Sequence, residues 1–504
     1  MKLHCLTDNA TKRGATTVKS GWELLFKGCK LSAALGPVFL GFVLVVSLGF
    51  VGYAQNTTTT SVSCTPDPVG LSQPTTCTAT VTDTGSSVVT PITGTVTFTT
   101  SGSGSFTGNP CTLSGAGNPA SCSVTFTPTS TGTHSITGSY GGDANHTGSS
   151  GMYSLTVKRV SMTTVTCSET SLVVNEQTIC TVSVEDTSSG TPETPTGTVT
   201  FSNSPVAEGS LSPTSCTLNA VGQCTVNYTP SSGDTTPHVI TASYGGSTLH
   251  FSSSDTFDQA IVKRAADVEL SCAPTNVFIG QALTCLVTVK DDTTVGTGAT
   301  PTGDVSFDDG GKAGAFSAAS CTLSSGSCSV TYTPAAGDAG TSSDTTTITA
   351  TYGGSSIHAA STDTQQLTVN LRPTSTTVDC VSDVSGNHET LFVNETATCT
   401  VTVKDVAPAG SPTAPAGSAT ITTSLGGSPF SSNTCGALTT GSGQSTCTFK
   451  YTRTSLALDG DFDTIGAIYG GSTTHAPSAG GFAQGVQRRT TSTAISCDNA
   501  SPTS

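Results

Sequence analysis

The stretch His238–His250, HVITASYGGSTLH, decides how the rest of the chain is read. Ile240, Ala242 and Tyr244 recur at period two, which predicts a strand with one buried face that ends at Tyr244. Gly245 and Gly246 follow and are expected to supply positive φ for a tight turn. His250 falls just past that turn. The pattern returns at Tyr140 with His146, at Tyr352 with His358 and at Tyr469 with His475. Each copy has the same lead-in, such as Ile136-x-Gly138 or Ile348-x-Ala350. The motif is therefore either one site used four times or one turn built four times.

The tyrosines lie 104, 108 and 117 residues apart, so the chain is a tandem repeat. Between them runs a fixed order of segments. In the second unit it is TTVTC, TICTVSVED, PTGTVTFS, SPTSCTL, GQCTVNYTP, HVITASYGG and DQAIVKR. Each alternates apolar with polar residues and is bounded by Gly, Pro, Ser or Asp. About seven such strands per unit predict an all-β antiparallel sandwich. Four units are expected, at 55–159, 160–264, 265–372 and 373–489. Each closes on a basic signature: Lys158-Arg159, Lys263-Arg264, Arg372 or Arg488-Arg489. The next strand starts within a few residues, so a semi-stiff string is expected. Residues 490–504 match only a first strand and are expected to begin a truncated fifth unit.

The order TGTVTF, CTVNYTP, ITASYGG resembles the bacterial immunoglobulin-like repeat, across essentially all of residues 57–489. Pro195-Thr-Gly, Pro301-Thr-Gly and the Y-T-P or F-T-P ends at Pro128, Pro230 and Pro334 carry it. The fourth unit is looser, with PAGSATI and KYTRT in those places. The resemblance implies immunoglobulin-like sandwiches in a structural or adhesive protein, without catalysis, and leaves the ligand open.

Sixteen of the 19 cysteines fall four per unit: Cys64, Cys77, Cys111, Cys122; Cys167, Cys180, Cys216, Cys224; Cys272, Cys285, Cys321, Cys328; and Cys380, Cys399, Cys435, Cys447. An even framework in an exported chain reads as disulfides. All four in a unit share parity with core positions and are expected to face inward. The first is placed at the end of strand A, the second at the start of B, the third at the end of D and the fourth at the start of E. In the usual sandwich order B and E are antiparallel neighbours, so their starts lie about 17 Å apart. Bridged Cα atoms lie within about 7 Å. First-to-second and third-to-fourth pairing is expected in every unit. Spacings of 7, 8, 11 and 13 residues are not those of a zinc ribbon.

Residues 1–54 carry six basic and two acidic residues and a 24-residue uncharged run, Leu31–Ala54, ending Gly52-Tyr53-Ala54. This is expected to be a signal peptide cut after Ala54, or else a retained N-terminal membrane anchor, the only expected membrane contact. Either one places the remainder at the cell surface or outside the cell. Against a total of −15, residues 55–504 carry −19. A chain this acidic, with no basic patch, is not expected to bind nucleic acid.

The recurring histidines read as packing over the turn, with a metal ligand or a pH-sensitive contact between units as the rival reading. Asp83, Asp186, Asp291 and Asp405 close the second strand of each unit. Turn chemistry is the expectation for them, with calcium the rival and no other cofactor implied. No catalytic motif occurs, so a non-enzyme is expected. The leading function is a stalk or spacer. The alternatives are an adhesin binding an extracellular glycan or protein through individual repeats, and an accessory region of a secreted enzyme whose catalytic domain lies elsewhere. The fourth unit, with VSDVSGNHET and LALDGDFD inserted, is where divergent loops are expected.

Overall fold

A computed structural model describes residues 54–496 except 86–89, 115–116, 389, 428 and 457–459. The segment before Ala54, Cys497 and the last residues lie outside the described residues.

The first repeat shows how the strands are used. In chain order they are β1 (Thr58–Thr65), β2 (Val69–Gly70), β3 (Thr75–Asp83), β4 (Thr95–Thr100), β5 (Gly104–Thr107), β6 (Cys111–Thr112), β7 (Ala120–Pro128), β8 (Gly132–Tyr140) and β9 (Ser149–Lys158). They form two facing sheets, ordered β1-β3-β7-β5 and β2-β9-β8-β4-β6. Two short strands, β2 and β5, are thus added to the seven expected. β2 runs parallel to β9, so the first strand crosses from one sheet to the other partway along. The second and third repeats have the same two orders. In the fourth, the counterpart of β5 shrinks to one bridge between Phe430 and Tyr451.

Period-two alternation places one face of every long strand in the core. In the first repeat Val62, Ala79, Val81, Val96, Phe98, Val124, Phe126, Ile136, Tyr140, Leu155 and Val157 form one cluster between the sheets. The other three repeats carry equivalent clusters. Among the described residues the one helical element is a short 3-10 turn, Val206–Glu208, and no helix is long and apolar enough to cross a membrane.

The structure joins Cys64 to Cys77, Cys167 to Cys180, Cys272 to Cys285 and Cys380 to Cys399. Each of these pairs sits directly opposite across the first two antiparallel strands, with Cα atoms 3.9–4.1 Å apart. Cys111 joins Cys122, Cys216 joins Cys224, Cys321 joins Cys328 and Cys435 joins Cys447. This second bridge differs from the expectation in position. Its first cysteine lies on the expected fourth segment, but that segment is a short edge strand paired to β4 or its counterpart, on the sheet opposite the fourth cysteine. The bridge therefore ties one sheet to the other. All sixteen cysteines lie in or against the core clusters, though not all are fully buried. Cys167, Cys216, Cys224, Cys321, Cys328 and Cys447 are only half-buried. All but Cys167 belong to bridges at a sheet rim, where solvent reaches the edge strand.

Candidate functional site at the repeat junctions

The Tyr-Gly-Gly-x-x-x-His segment joins β8 to β9 and its counterparts. Each tyrosine is buried, and its hydroxyl donates to a backbone carbonyl. Tyr140 bonds Thr93 O (2.9 Å), Tyr244 Thr196 O (2.8 Å), Tyr352 Thr302 O (2.7 Å) and Tyr469 Ala416 O (2.8 Å). The acceptor always immediately precedes the glycine of the Pro-Thr-Gly segment or its counterpart, so two motifs far apart in sequence lock together.

Only the second glycine of the pair takes positive φ, at +87°, +84°, +83° and +84° for Gly142, Gly246, Gly354 and Gly471. The first does not, which corrects the expectation that both are needed for the turn. A Cβ on the second would also lie 2.7–3.0 Å from the carbonyl oxygen of the histidine four residues on. The turn closes there, with Ser247 N donating to His250 O at 3.0 Å.

The four histidines are buried and aimed at the aspartate that ends the second strand. The Nε2–Oδ2 distances are 3.4 Å for His146–Asp83, 3.8 Å for His250–Asp186, 3.7 Å for His358–Asp291 and 3.6 Å for His475–Asp405. In three repeats an arginine completes the group. Arg159 donates through Nε to Asp186, Arg264 to Asp291 (2.7 Å) and Arg372 to Asp405 (2.6 Å). All three arginines are buried. In the first repeat Asn56 takes this place, donating to Asp83 at 2.9 Å, and His146 Nδ1 also meets Asp143 at 2.8 Å.

The aspartates also accept backbone N–H bonds from the loop that follows. Asp186 takes them from Ser188 and Glu193, Asp291 from Thr293 and Ala299, and Asp405 from Ala407 and Thr413. Burial pushes each carboxyl up, but these amides and the arginine together hold it below the ordinary value, at about 2 for Asp291. Asn56 is the main cause of the same lowering at Asp83. Burial holds His358 and His475 below the ordinary histidine value, opposed by the neighbouring aspartate. The carboxylates considered for calcium are thus engaged with backbone amides and with a guanidinium or, at Asp83, the Asn56 side chain. Among the described residues no group of three or more His, Cys, Asp or Glu side chains is placed to hold a metal ion.

The three arginine clusters sit where one repeat meets the next. Lys158 Nζ donates to Ser247 O and Lys263 Nζ to Ser355 O, each reaching the turn of the following repeat. Gly233 N donates to Ser356 O, and Thr297 N to Asn175 O. Ile357 packs on the core of the second repeat and Ala476 on that of the third. In sequence the arginines stand as closing signatures. In the structure they bond forward, to the aspartate of the strands that follow. Their fixed place, eight residues before each first cysteine, was the signal that could have shown it.

Residues 58–158 match the bacterial Ig-like domain (group 3) family. The first repeat thus matches that domain family, and the three later repeats share its two-sheet order, cysteine pairs and Tyr-Gly-Gly turn. No curated protein matches it. Among solved structures it is similar to invasin, a bacterial integrin-binding protein, at 16% identity and a TM-score of 0.27 over 84% of this chain and 79% of that one. The Escherichia coli adhesin FdeC aligns at 15% identity and a TM-score of 0.22, over 62% of this chain and 96% of that one. The Yersinia pseudotuberculosis adhesin InvE aligns at 17% identity and 0.25, over 42% and 59%.

Proposed function

We propose that this chain is an exported, non-catalytic array whose work is spatial: a stalk or spacer at the cell surface or outside the cell. The supporting observation is the recurrence of one junction. Only two or three residues separate the last strand of a repeat from the first of the next, as at Lys158 to Ser161, Val262 to Ala266 and Asn370 to Thr374. With an Arg–Asp–His group buried there, little free linker is left to bend. Eight disulfides fit an oxidising compartment. Distances between labels placed on repeats 1 and 4 test the reading. A spacer gives a narrow distribution, and a broad one typical of free linkers rejects it.

An adhesin is the second reading, and the fourth repeat favours it. Leu425, Gly426, Pro429, Arg453 and Ser455 line a surface groove there. Arg453 anchors the groove through bonds to the carbonyls of Leu425 and Gly426. A glycan and matrix-protein screen of the array tests this. Binding lost on exchanging Arg453 and its loop for the repeat 3 sequence supports adhesion through this repeat, and absence of binding to any probe rejects it.

A further inference from the structure

We propose that the arginine opening each following repeat is a clamp that couples it to the repeat before, and that the preceding repeat carries a matching receptor carbonyl. Arg264 shows the full arrangement. Its Nε is held by Asp291, Nη2 bonds Thr293 O (3.0 Å), and Nη1 bonds Val295 O (2.9 Å). The same Nη1 lies 3.1 Å from Val174 O, in the second repeat. Arg372 repeats the carboxylate and the crossing bond, with Nε on Asp405 and Nη1 3.1 Å from Ile279 O in the third repeat, while its Nη2 is buried without a partner among the described residues. In the fourth repeat Val393 O occupies the same place, and Arg489 Nε lies 3.4 Å from it. All three receptor carbonyls belong to the residue just after the short strand that runs parallel to the last strand: Ser171–Val173, Asn276–Phe278 and Thr390–Phe392. A planar guanidinium with its five donors in a fixed fork can serve one carboxylate and carbonyls on two domains together.

The first repeat supplies the control. Its residue at this position is Asn56, which satisfies Asp83 with one short amide. The aspartate thus needs a donor but not an arginine, and the longer side chain occurs where a described repeat precedes it. At the first junction the reach is indirect. Arg159 Nη2 bonds Thr191 O (2.9 Å), and the neighbouring Ser189 Oγ contacts Ser72 Oγ at 3.3 Å. By this assignment repeats begin at Asn56, Arg159, Arg264 and Arg372, so each arginine belongs to the repeat after the one it was expected to close. The inference stands on junction geometry and holds for a spacer or an adhesin alike.

Hydrogen exchange on the full array tests it, read at the two amides that cross the junction between repeats 2 and 3, Gly233 and Thr297. Arg264→Asn installs the side chain the first repeat already uses. Loss of a charged hydrogen bond should speed exchange at both amides about tenfold or more. Amides of the core strands Thr178–Asp186 and Leu283–Asp291 should keep their protection. Arg264→Lys, which keeps the charge beside Asp291, should give the same pattern and serves if the asparagine variant folds poorly. Arg159→Asn should disturb the first junction less. Unchanged exchange at Gly233 and Thr297 would overturn the clamp. So would equal acceleration throughout repeat 3, because the arginine would then serve its own domain alone.

Discussion

Replacing Gly246 with alanine should destabilise the second repeat, while the same change at Gly245 should not. Gly246 has φ +84°, and a Cβ there would stand 2.9 Å from His250 O and 3.1 Å from Ser252 N. Left-handed backbone costs an L-residue roughly 1–2 kcal/mol. The contacts are to backbone, so relieving them requires the turn itself to open, and a total of about 2–3 kcal/mol follows. For a domain of about 100 residues each kcal/mol moves the midpoint by about 4–8 °C, so the transition of this repeat should fall by roughly 10–20 °C. At Gly245 an added Cβ meets nothing within 4 Å. Alanine there should leave the midpoint within a few degrees, or raise it slightly by restricting the unfolded chain. Calorimetry of the array, with the transition of repeat 2 assigned by hydrogen exchange, measures both variants. Equal effects at the two glycines would refute the reasoning, because it rests on the asymmetry between them.

Tyr352→Phe should cost repeat 3 about 1–2 kcal/mol, read in the same way, because Thr302 O loses its 2.7 Å donor inside the fold. Acid should destabilise repeats 3 and 4 in two stages. The folded pKa values of His358, His475, Asp291 and Asp405 all lie below their unfolded values, so the unfolded chain binds more protons. Stability should hold above about pH 6.5, fall as the histidines titrate, and fall again from about pH 4 towards the folded value of about 2 at Asp291. Urea midpoints measured across that range check the sign, and a rise in stability on acidification would contradict it. Replacing Cys272 and Cys285 with serine should cost about 3 kcal/mol, and replacing Cys321 and Cys328 about 2, following their closed loops of 13 and 7 residues. Denaturant titration of the two double variants ranks them.

The strands were legible because their signal is local. Ile240, Ala242 and Tyr244 show which face is buried within five residues, and the return of that pattern three times shows how many domains it builds. The cysteine parity and spacing carried similar information. The partners of these residues were not legible. Arg159, Asp186 and His250 are spread over 91 residues, and only the meeting of three strand ends at one pole brings them together. Arginine in a sequence carries no mark of burial, so the basic signature at Arg264 gave no sign of a fully enclosed side chain.

The sequence by itself therefore determined the all-β class, the fourfold repeat and the turn after each tyrosine, because period-two burial and glycine-bearing turns are properties of neighbouring residues. Tertiary structure decided which glycine bears the strain, that the second disulfide crosses between sheets, and why a histidine follows the turn four times. That histidine fills the space between the closing turn and a buried carboxylate held by arginine or asparagine. Its role depends on groups from distant strands and at the junction of two domains, and no local pattern encodes such a meeting.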